Sequence, residues 1–258
     1  MNAVAHAHAL ASADSRWSTE VHAIAGGWLV LSGPGLYVNR AMAAGLDTEL
    51  SIEDLDFIVE RSNALSLVPS IDVSPATQHG SFASISSSGF VRNVGRDVTA
   101  LTRPIPDWPV KAPGDVLVRH VTRRADLEVW QETSAIGWGH ADERARRASD
   151  AFAAAAHAVD QEGMVLAIDG TDGRVLGCAS TTIRDGLATL GAMSTVPGER
   201  RRGVHAALIG HRLDHARRMG CELAAATAMA GGASQRNLER HGFTSRFAIA
   251  TYELPEPI

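Results

Sequence analysis

Apolar residues recur at helical spacing over residues 52–64, 124–136, 143–159 and 203–219, the third stretch being alanine-rich. Alternating or short continuous apolar runs at 116–121, 164–168, 174–182, 187–196, 221–227 and 244–254 read as strands. Asp169-Gly170-Thr171-Asp172-Gly173 and Arg184-Asp185-Gly186 lie between three of these runs, with glycine where a hairpin turn needs positive φ. A short helix between the last two strands completes the order β-α-α-β-β-β-α-β-α-β for residues 116–258. That order predicts an α/β (α+β) unit, a mixed sheet with helices on its faces.

The first half repeats part of this pattern. Helix 52–64 precedes an apolar strand at 65–71, as helix 203–219 precedes strand 221–227. Gly89-Phe90 leads into a strand-like run over 91–101 and then Pro104-Ile105-Pro106. Gly242-Phe243 leads into the run over 244–254 and then Pro255-Glu256-Pro257. Chance resemblance of short elements is the alternative; an internal duplication reads the order better. Four prolines between Arg103 and Gly114 cannot continue a helix or a central strand. The expected organisation is therefore a mobile tail at 1–14, a first domain at 15–106, a linker at 107–115 and a second domain at 116–258.

Composition narrows the class without naming a function. Hydrophobic content of 45% with 21% charged residues fits a globular protein, and a net charge of −5 argues against nucleic acid as a partner. No apolar run reaches the length of a membrane span, and no leader pattern opens the chain; a cytoplasmic monomer or homodimer is expected. Cys178 and Cys221 read as free buried thiols, and no metal is expected. His6 and His8 could chelate adventitious metal, but a frayed tail reads better.

The positive charge is unevenly placed. Arg200, Arg201 and Arg202 sit in a glycine-containing turn, Val196 to Ala206, between a strand and a helix start near Gly203. A helix N-terminus offers unpaired N–H groups and the positive end of its dipole, which together suit a phosphate. Gly198 and Gly203 allow close backbone approach, and an arginine can fork onto phosphate oxygens. A solvated basic turn would read the same from these residues alone.

Arg200-Arg201-Arg202-Gly203-Val204-His205, followed by Ala206, resembles the Gln/Arg-x-x-Gly-x-Gly/Ala acyl-CoA loop of the GNAT superfamily of N-acyltransferases. The strand order, and the segment from Gly232 to Phe243 with its Asn237-x-x-x-x-Gly242-Phe243 ending, resemble that family over nearly all of 116–254. The resemblance implies two such units in tandem, the second intact. It implies that Ser194, Thr195 and Val196 bind the pantetheine arm of acetyl-CoA. Backbone N–H groups over Arg201, Arg202, Gly203, Val204, His205 and Ala206 would hold its pyrophosphate. Ser234 and Asn237 would contact pantetheine or phosphate, although Ser234 also reads as an N-cap. His205 departs from the pattern, which expects Gly or Ala; it could crowd the phosphates, point away, or assist if protonated.

The equivalent stretch of the first half, residues 47–54, carries Asp47, Glu49, Glu53 and Asp54 and no glycine. Ser51 with Asp54 reads as a near capping box there. That half therefore resembles a degenerate copy without a cofactor site, completing the core and walling the substrate cleft. Asn39-Arg40 resembles a segment of tandem members, or a solvent-facing turn.

For the chemistry, the resemblance places Thr195, or Val196, as the backbone oxyanion donor. Leu238 stands where many members carry an acid tyrosine, and no carboxylate lies on the strand 187–196. Candidates from the 130–143 connection are His140 and Glu132 as acid–base groups, with Trp130, Trp138 and Glu143 lining an acceptor pocket. A surface histidine and plain core tryptophans are the alternatives, and the base could be water. The implied activity is N-acyl transfer to a small amine or amino-acid-like acceptor, directly, in a ternary complex. A non-catalytic acyl-CoA-binding or regulatory module, or an enzyme acting on the acyl group itself, are the alternatives.

Overall fold

The computed structural model describes residues 2–13, 17–108, 115–140, 142–160 and 162–255. The chain divides into two compact units, one of Met1–Val98 with Phe247–Ile258, the other of Thr99–Arg246. This differs from a cut at 107–115. Each unit includes a strand that chain order would give to the other half. Arg103 and Pro104 end a strand instead of opening a linker, and linker residues 109–114 lie outside the described residues.

The first unit contains α1 (Asn2–Ala13), β1 (Glu20–Ile24), β2 (Gly27–Leu31), β3 (Arg40–Met42), α2 (Ile52–Ala64), β4 (Ser70–Val73), α3 (His79–Ser87) and β5 (Val91–Arg92). Residues 2–13 are helical, not a frayed tail, because Ala7 and Leu10 find a buried face. Ala25 and Gly26 both take positive φ in the two-residue turn joining β1 to β2. β3 and β4 pair in parallel, and β4 pairs antiparallel with Ala250 to Glu253 of the last strand. Leu29, Leu31, Leu55, Ile58, Ile71 and Ile85 fill the core between sheet and helices.

Two readings of this unit are settled by hydrogen bonds. Ser51 and Asp54 form a complete capping box, so the N-terminus of α2 is closed by its own side chains. Asn39 is no solvent-facing turn. It is buried, accepts from Ser32 N–H at 2.7 Å and donates to the carbonyls of Gly33 and Leu36. Beside it Arg40 pairs with Asp72 at 3.0 Å.

The second unit is built on β6 (Val98–Pro104), β7 (Val116–His120), α4 (Arg124–Trp138), α5 (Glu143–Val159), β8 (Met164–Asp169), β9 (Val175–Arg184), β10 (Leu187–Thr195), α6 (Val204–Arg218), β11 (Leu223–Met229), α7 (Ala233–Arg240) and the start of β12 (Thr244–Glu253). From β7 onward this is the order expected. The sheet runs β6-β11-β10-β9-β8-β7, with β10 and β11 parallel and β7 to β10 successively antiparallel. Alternation along β8 decides what covers each face. Met164 and Leu166 join Trp130 of α4 and Ala153 of α5, while Val165 and Ala167 join Val204, Ala207 and Leu208 of α6. Both cysteines are free and buried.

Candidate active site

Two neighbouring features of the second unit make the site. The first is a break in strand pairing. The β10–β11 register runs from Leu187↔Leu223 to Leu190↔Ala226 and stops, although β10 continues to Thr195 and β11 to Met229. On its other edge β10 carries a bulge: Gly191 pairs with Ser180 and Ser194 with Cys178, so Ala192 and Met193 oppose Ala179 alone. Ala192 takes φ 39° there. Val196 donates its N–H to Leu176 of β9 at 3.0 Å. Successive strand N–H groups face opposite edges, so that of Thr195 faces the edge where pairing with β11 has ended. Thr195 Oγ1 is buried without a partner among the described residues.

The second feature is the open start of α6. A 3-10 turn, Pro197–Glu199, leads to Arg201 at φ 67° and Gly203 at φ 78°, both left-handed. Gly203 is the N-cap and offers no side chain; the first helical bond is Ala207 N–H to Gly203 at 2.9 Å. The N–H groups of Val204, His205 and Ala206 precede that bond and have no partner within the helix. Among the described residues, no atom lies within 4 Å of where a Cβ would stand on Gly198 or Gly203. Here α6 differs from α2, whose N-terminus is filled by its own capping box. An anion with several oxygens fits the start of α6.

The arginines divide by role. Arg202, though exposed, is already ion-paired, with Asp169 at 2.6 Å and with Glu199. Arg174 joins Glu199 at 3.0 Å, so the turn is pinned to the β8–β9 hairpin. Thr171 hydroxyl and backbone, then Arg202, hold the Asp169 carboxyl far below the usual range. Arg200 and Arg201 are exposed, with no side-chain partner among the described residues.

His205 is not a cationic phosphate ligand. Burial, helped by Arg212 and His241, pushes its pKa down to about 4, and its Nδ1 is buried without a partner among the described residues. His211 on the same helix is also pushed to about 4, by burial and then His120, whose Nε2 lies 3.4 Å from its own. His215 is lowered for the same reasons. These imidazoles bind fewer protons folded than unfolded, so their contribution is intact above pH ~6.5 and lost as pH falls toward 4. Melting temperature is expected to drop steadily across that window, and His211→Gln to flatten the slope in melts recorded from pH 7.5 to 4. An equal slope in the variant would refute the assignment.

The acceptor-side candidates separate. Trp130 is core, not pocket wall: it is 2% exposed and its Nε1 donates to Ala179 at 3.1 Å. That carbonyl belongs to the residue facing the bulge. Trp138, at the last turn of α4, is 57% exposed. Glu132 is ion-paired with Arg146, and Glu143 with Arg147 at 2.9 Å, so neither carboxylate stands free. His140 follows the left-handed Gly139 cap, with Nδ1 buried and unpartnered among the described residues. α4 approaches β10 closely at Gly137, where a Cβ would fall 2.3 Å from Ser194 Oγ. Gly232 caps α7, leaving Ser234 exposed in its first turn, so Ser234 is not the N-cap. Asn237 Oδ1 accepts from Arg240 at 3.0 Å. Leu238 is buried in the core.

One residue central to the site escaped the sequence reading. Arg212 of α6 is 1% exposed and has no carboxylate partner among the described residues. It donates to the carbonyls of Leu208 (3.1 Å), Ser180 (3.0 Å) and Gly191 (3.2 Å), and its third nitrogen lies 2.9 Å from Met193 Sδ. Burial lowers its pKa to about 9, which leaves it charged at neutral pH.

The acetyltransferase (GNAT) family model matches residues 125–243. Among solved structures, a GCN5-related N-acetyltransferase from Kribbella flavida is 17% identical with a TM-score of 0.67, the match covering 99% of this chain and 95% of that one. One from Sphaerobacter thermophilus is 17% identical with a TM-score of 0.59, over 79% of this chain and 66% of the other. A tandem GNAT protein from the clavulanic acid biosynthesis pathway is 14% identical with a TM-score of 0.61, over 90% and 80%. At such identities the likeness is one of fold. No curated protein matches the chain. Family match and fold support acyl-CoA-dependent acetyl transfer in general. Residues 125–243 of this chain are a GNAT acetyltransferase domain.

Proposed function

We propose that the second unit transfers an acetyl group from acetyl-CoA directly to a small amine or amino-acid-like acceptor. The observation that carries this reading is the open N-terminus of α6 adjoining the end of β10, where strand pairing has stopped. The N–H groups from Arg201 to Ala206 hold the pyrophosphate, with Arg200 and Arg201 free to add charge. Ser194 to Val196 receive the pantetheine arm along the open edge of β10. Thr195 N–H then meets the thioester oxygen as it gains charge, worth most where water is excluded. Acetyl-CoA supplies an activated acyl carbon, and the amine displaces the thiolate.

Direct transfer is favoured by Cys178. This thiol lies 3.5 Å from Ser194 Oγ, close enough to invite an acyl-enzyme route. Burial pushes its pKa up to about 12, so it stays a protonated thiol and a poor nucleophile. His140 is the candidate proton acceptor, its Nδ1 lacking a partner among the described residues. The first unit is a degenerate copy: its α2 start is closed by Ser51 and Asp54.

Leu238 favours a second reading, a non-catalytic acyl-CoA-binding module, because the family's acid tyrosine is replaced by a buried aliphatic. Thiol release from acetyl-CoA with a panel of small amines separates the two. Saturable, acceptor-dependent release is expected; tight acetyl-CoA binding without release from any amine would favour the module. Mass analysis of acyl-CoAs incubated without acceptor, one bearing a free carboxyl on its acyl chain included, is expected to find them intact, and loss of CO2 from that acyl chain would point to chemistry on the acyl group.

A further inference from the structure

A bulge in β10 ends the β10–β11 pairing and turns the N–H of Thr195 toward the resulting gap. Something must hold that irregular backbone, because a bulge removes ladder hydrogen bonds and leaves carbonyls to be satisfied. Two side chains do so from opposite faces. Trp130 of α4 donates to Ala179, the residue opposite the bulge. From the other face Arg212 of α6 spans Ser180 and Gly191, the last regular pair before the register shifts. Its remaining nitrogen reaches Met193, inside the bulge.

The cost of this arrangement is what makes it informative. An arginine with no carboxylate partner among the described residues, enclosed by protein, is a desolvated charge, and burying it is costly unless its donors are met. Leu208, Ile209, Leu213 and Ala216 surround it on the helix, so an aliphatic side chain would suit the position by packing alone. What the guanidinium supplies and an aliphatic cannot is a planar fork that reaches Ser180, Gly191 and Met193 at once.

We propose that Arg212 is a positioning residue for acyl transfer, fixing the β10 bulge so that the Thr195 N–H is held where the thioester oxygen gains charge. This rests on the acetyltransferase reading of the site. Arg212 touches no reacting atom; it acts through the backbone of residues 191–195. Displacing a group in an active site by about 1 Å costs roughly 100-fold in rate, so the effect belongs in kcat. Acetyl-CoA affinity rests mainly on the pyrophosphate at the α6 N-terminus, two turns away along the helix, so it falls less than the rate although residues 194–196 also carry the pantetheine arm.

Arg212→Met and Arg212→Lys test this together. Methionine keeps volume and removes every donor; lysine keeps the charge and loses the planar fork. Both are expected to lower kcat roughly 10- to 100-fold, with calorimetric acetyl-CoA affinity lowered less than the rate; the melting temperature of Arg212→Met should fall because the carbonyls of Leu208, Ser180 and Gly191 lose a donor. A plain fold role would instead leave kcat near wild type in whichever variant is folded at the assay temperature. Wild-type kcat in Arg212→Lys overturns the proposal, and it decides the matter if Arg212→Met fails to fold. Hydrogen exchange supplies a readout independent of acyl transfer: amides of residues 191–196 should exchange faster in both variants. If the wild-type protein acylates no amine, the functional reading falls, and unchanged exchange at these amides would separately dismiss Arg212 as their anchor.

Discussion

Gly203→Glu is expected to abolish acetyl-CoA binding while the second unit stays folded. Gly203 sits at φ 78° as the N-cap of α6, with nothing among the described residues within 4 Å of its virtual Cβ. A side chain therefore meets no wall, and the fold loses only what a left-handed non-glycine residue costs, about 1 kcal/mol. At the ligand the change is severe. The carboxylate would stand at the helix end that the pyrophosphate needs, adding repulsion and competing for the free N–H groups. Calorimetry should record at least a roughly 100-fold loss of affinity, about 2.7 kcal/mol. Gly203→Ala, with the same backbone strain and no charge, isolates the electrostatic part and should retain most of the binding. Wild-type affinity in Gly203→Glu would remove the loop from the site.

Trp130→Ala is expected to bring the largest loss of stability, roughly 3–5 kcal/mol for a buried tryptophan truncated in a packed core. Trp130 is 2% exposed and lies against Val121, Ala153, Met164, Leu166 and Cys178. The truncation also leaves the Ala179 carbonyl without its indole donor. Melting temperature of the second unit should fall by about 10 °C on the scale for domains of this size. Trp130→Phe keeps much of the volume and loses only the donor, so a smaller drop, on the order of 1–3 kcal/mol, is expected. A residue lining an acceptor pocket would instead raise the KM for the amine with little change in melting.

What could be read from the sequence was the part governed by local period. Helices α2 and α5 have the bounds that apolar spacing predicts, 52–64 and 143–159, because each buries one stripe. The run over 91–101 was misleading. It alternates well enough to read as one strand, yet Asn93 turns its side chain onto Gly95 N–H at 3.2 Å and inserts a 3-10 turn between β5 and β6. The open start of α6 was legible from Gly203 and its arginines, but not which arginine was free. Asp169, which occupies Arg202, lies 33 residues earlier in the chain. His205 also needed the fold, since burial decides its charge. Arg212 did leave a mark: a cation among Leu208, Ile209, Leu213 and Ala216 interrupts an apolar stripe. An interruption of that kind says that buried acceptors lie opposite, without saying which ones.

The crossing of chain segments between the units bears on how the protein is made. The buried strand β4 takes Ala250 to Glu253 as its neighbour, so the sheet of the first unit is incomplete until that stretch leaves the ribosome. Until then β4 presents a bare row of N–H and C=O groups, an invitation to pair with another nascent chain. N-terminal units commonly fold first during synthesis; this one must wait for residues about 180 positions downstream of β4. The second unit, whose segments span only Thr99–Arg246, has everything it needs sooner. Vectorial synthesis thus favours the acetyltransferase domain closing before its companion, and shortened chains that stop before Phe247 should leave that companion prone to aggregation.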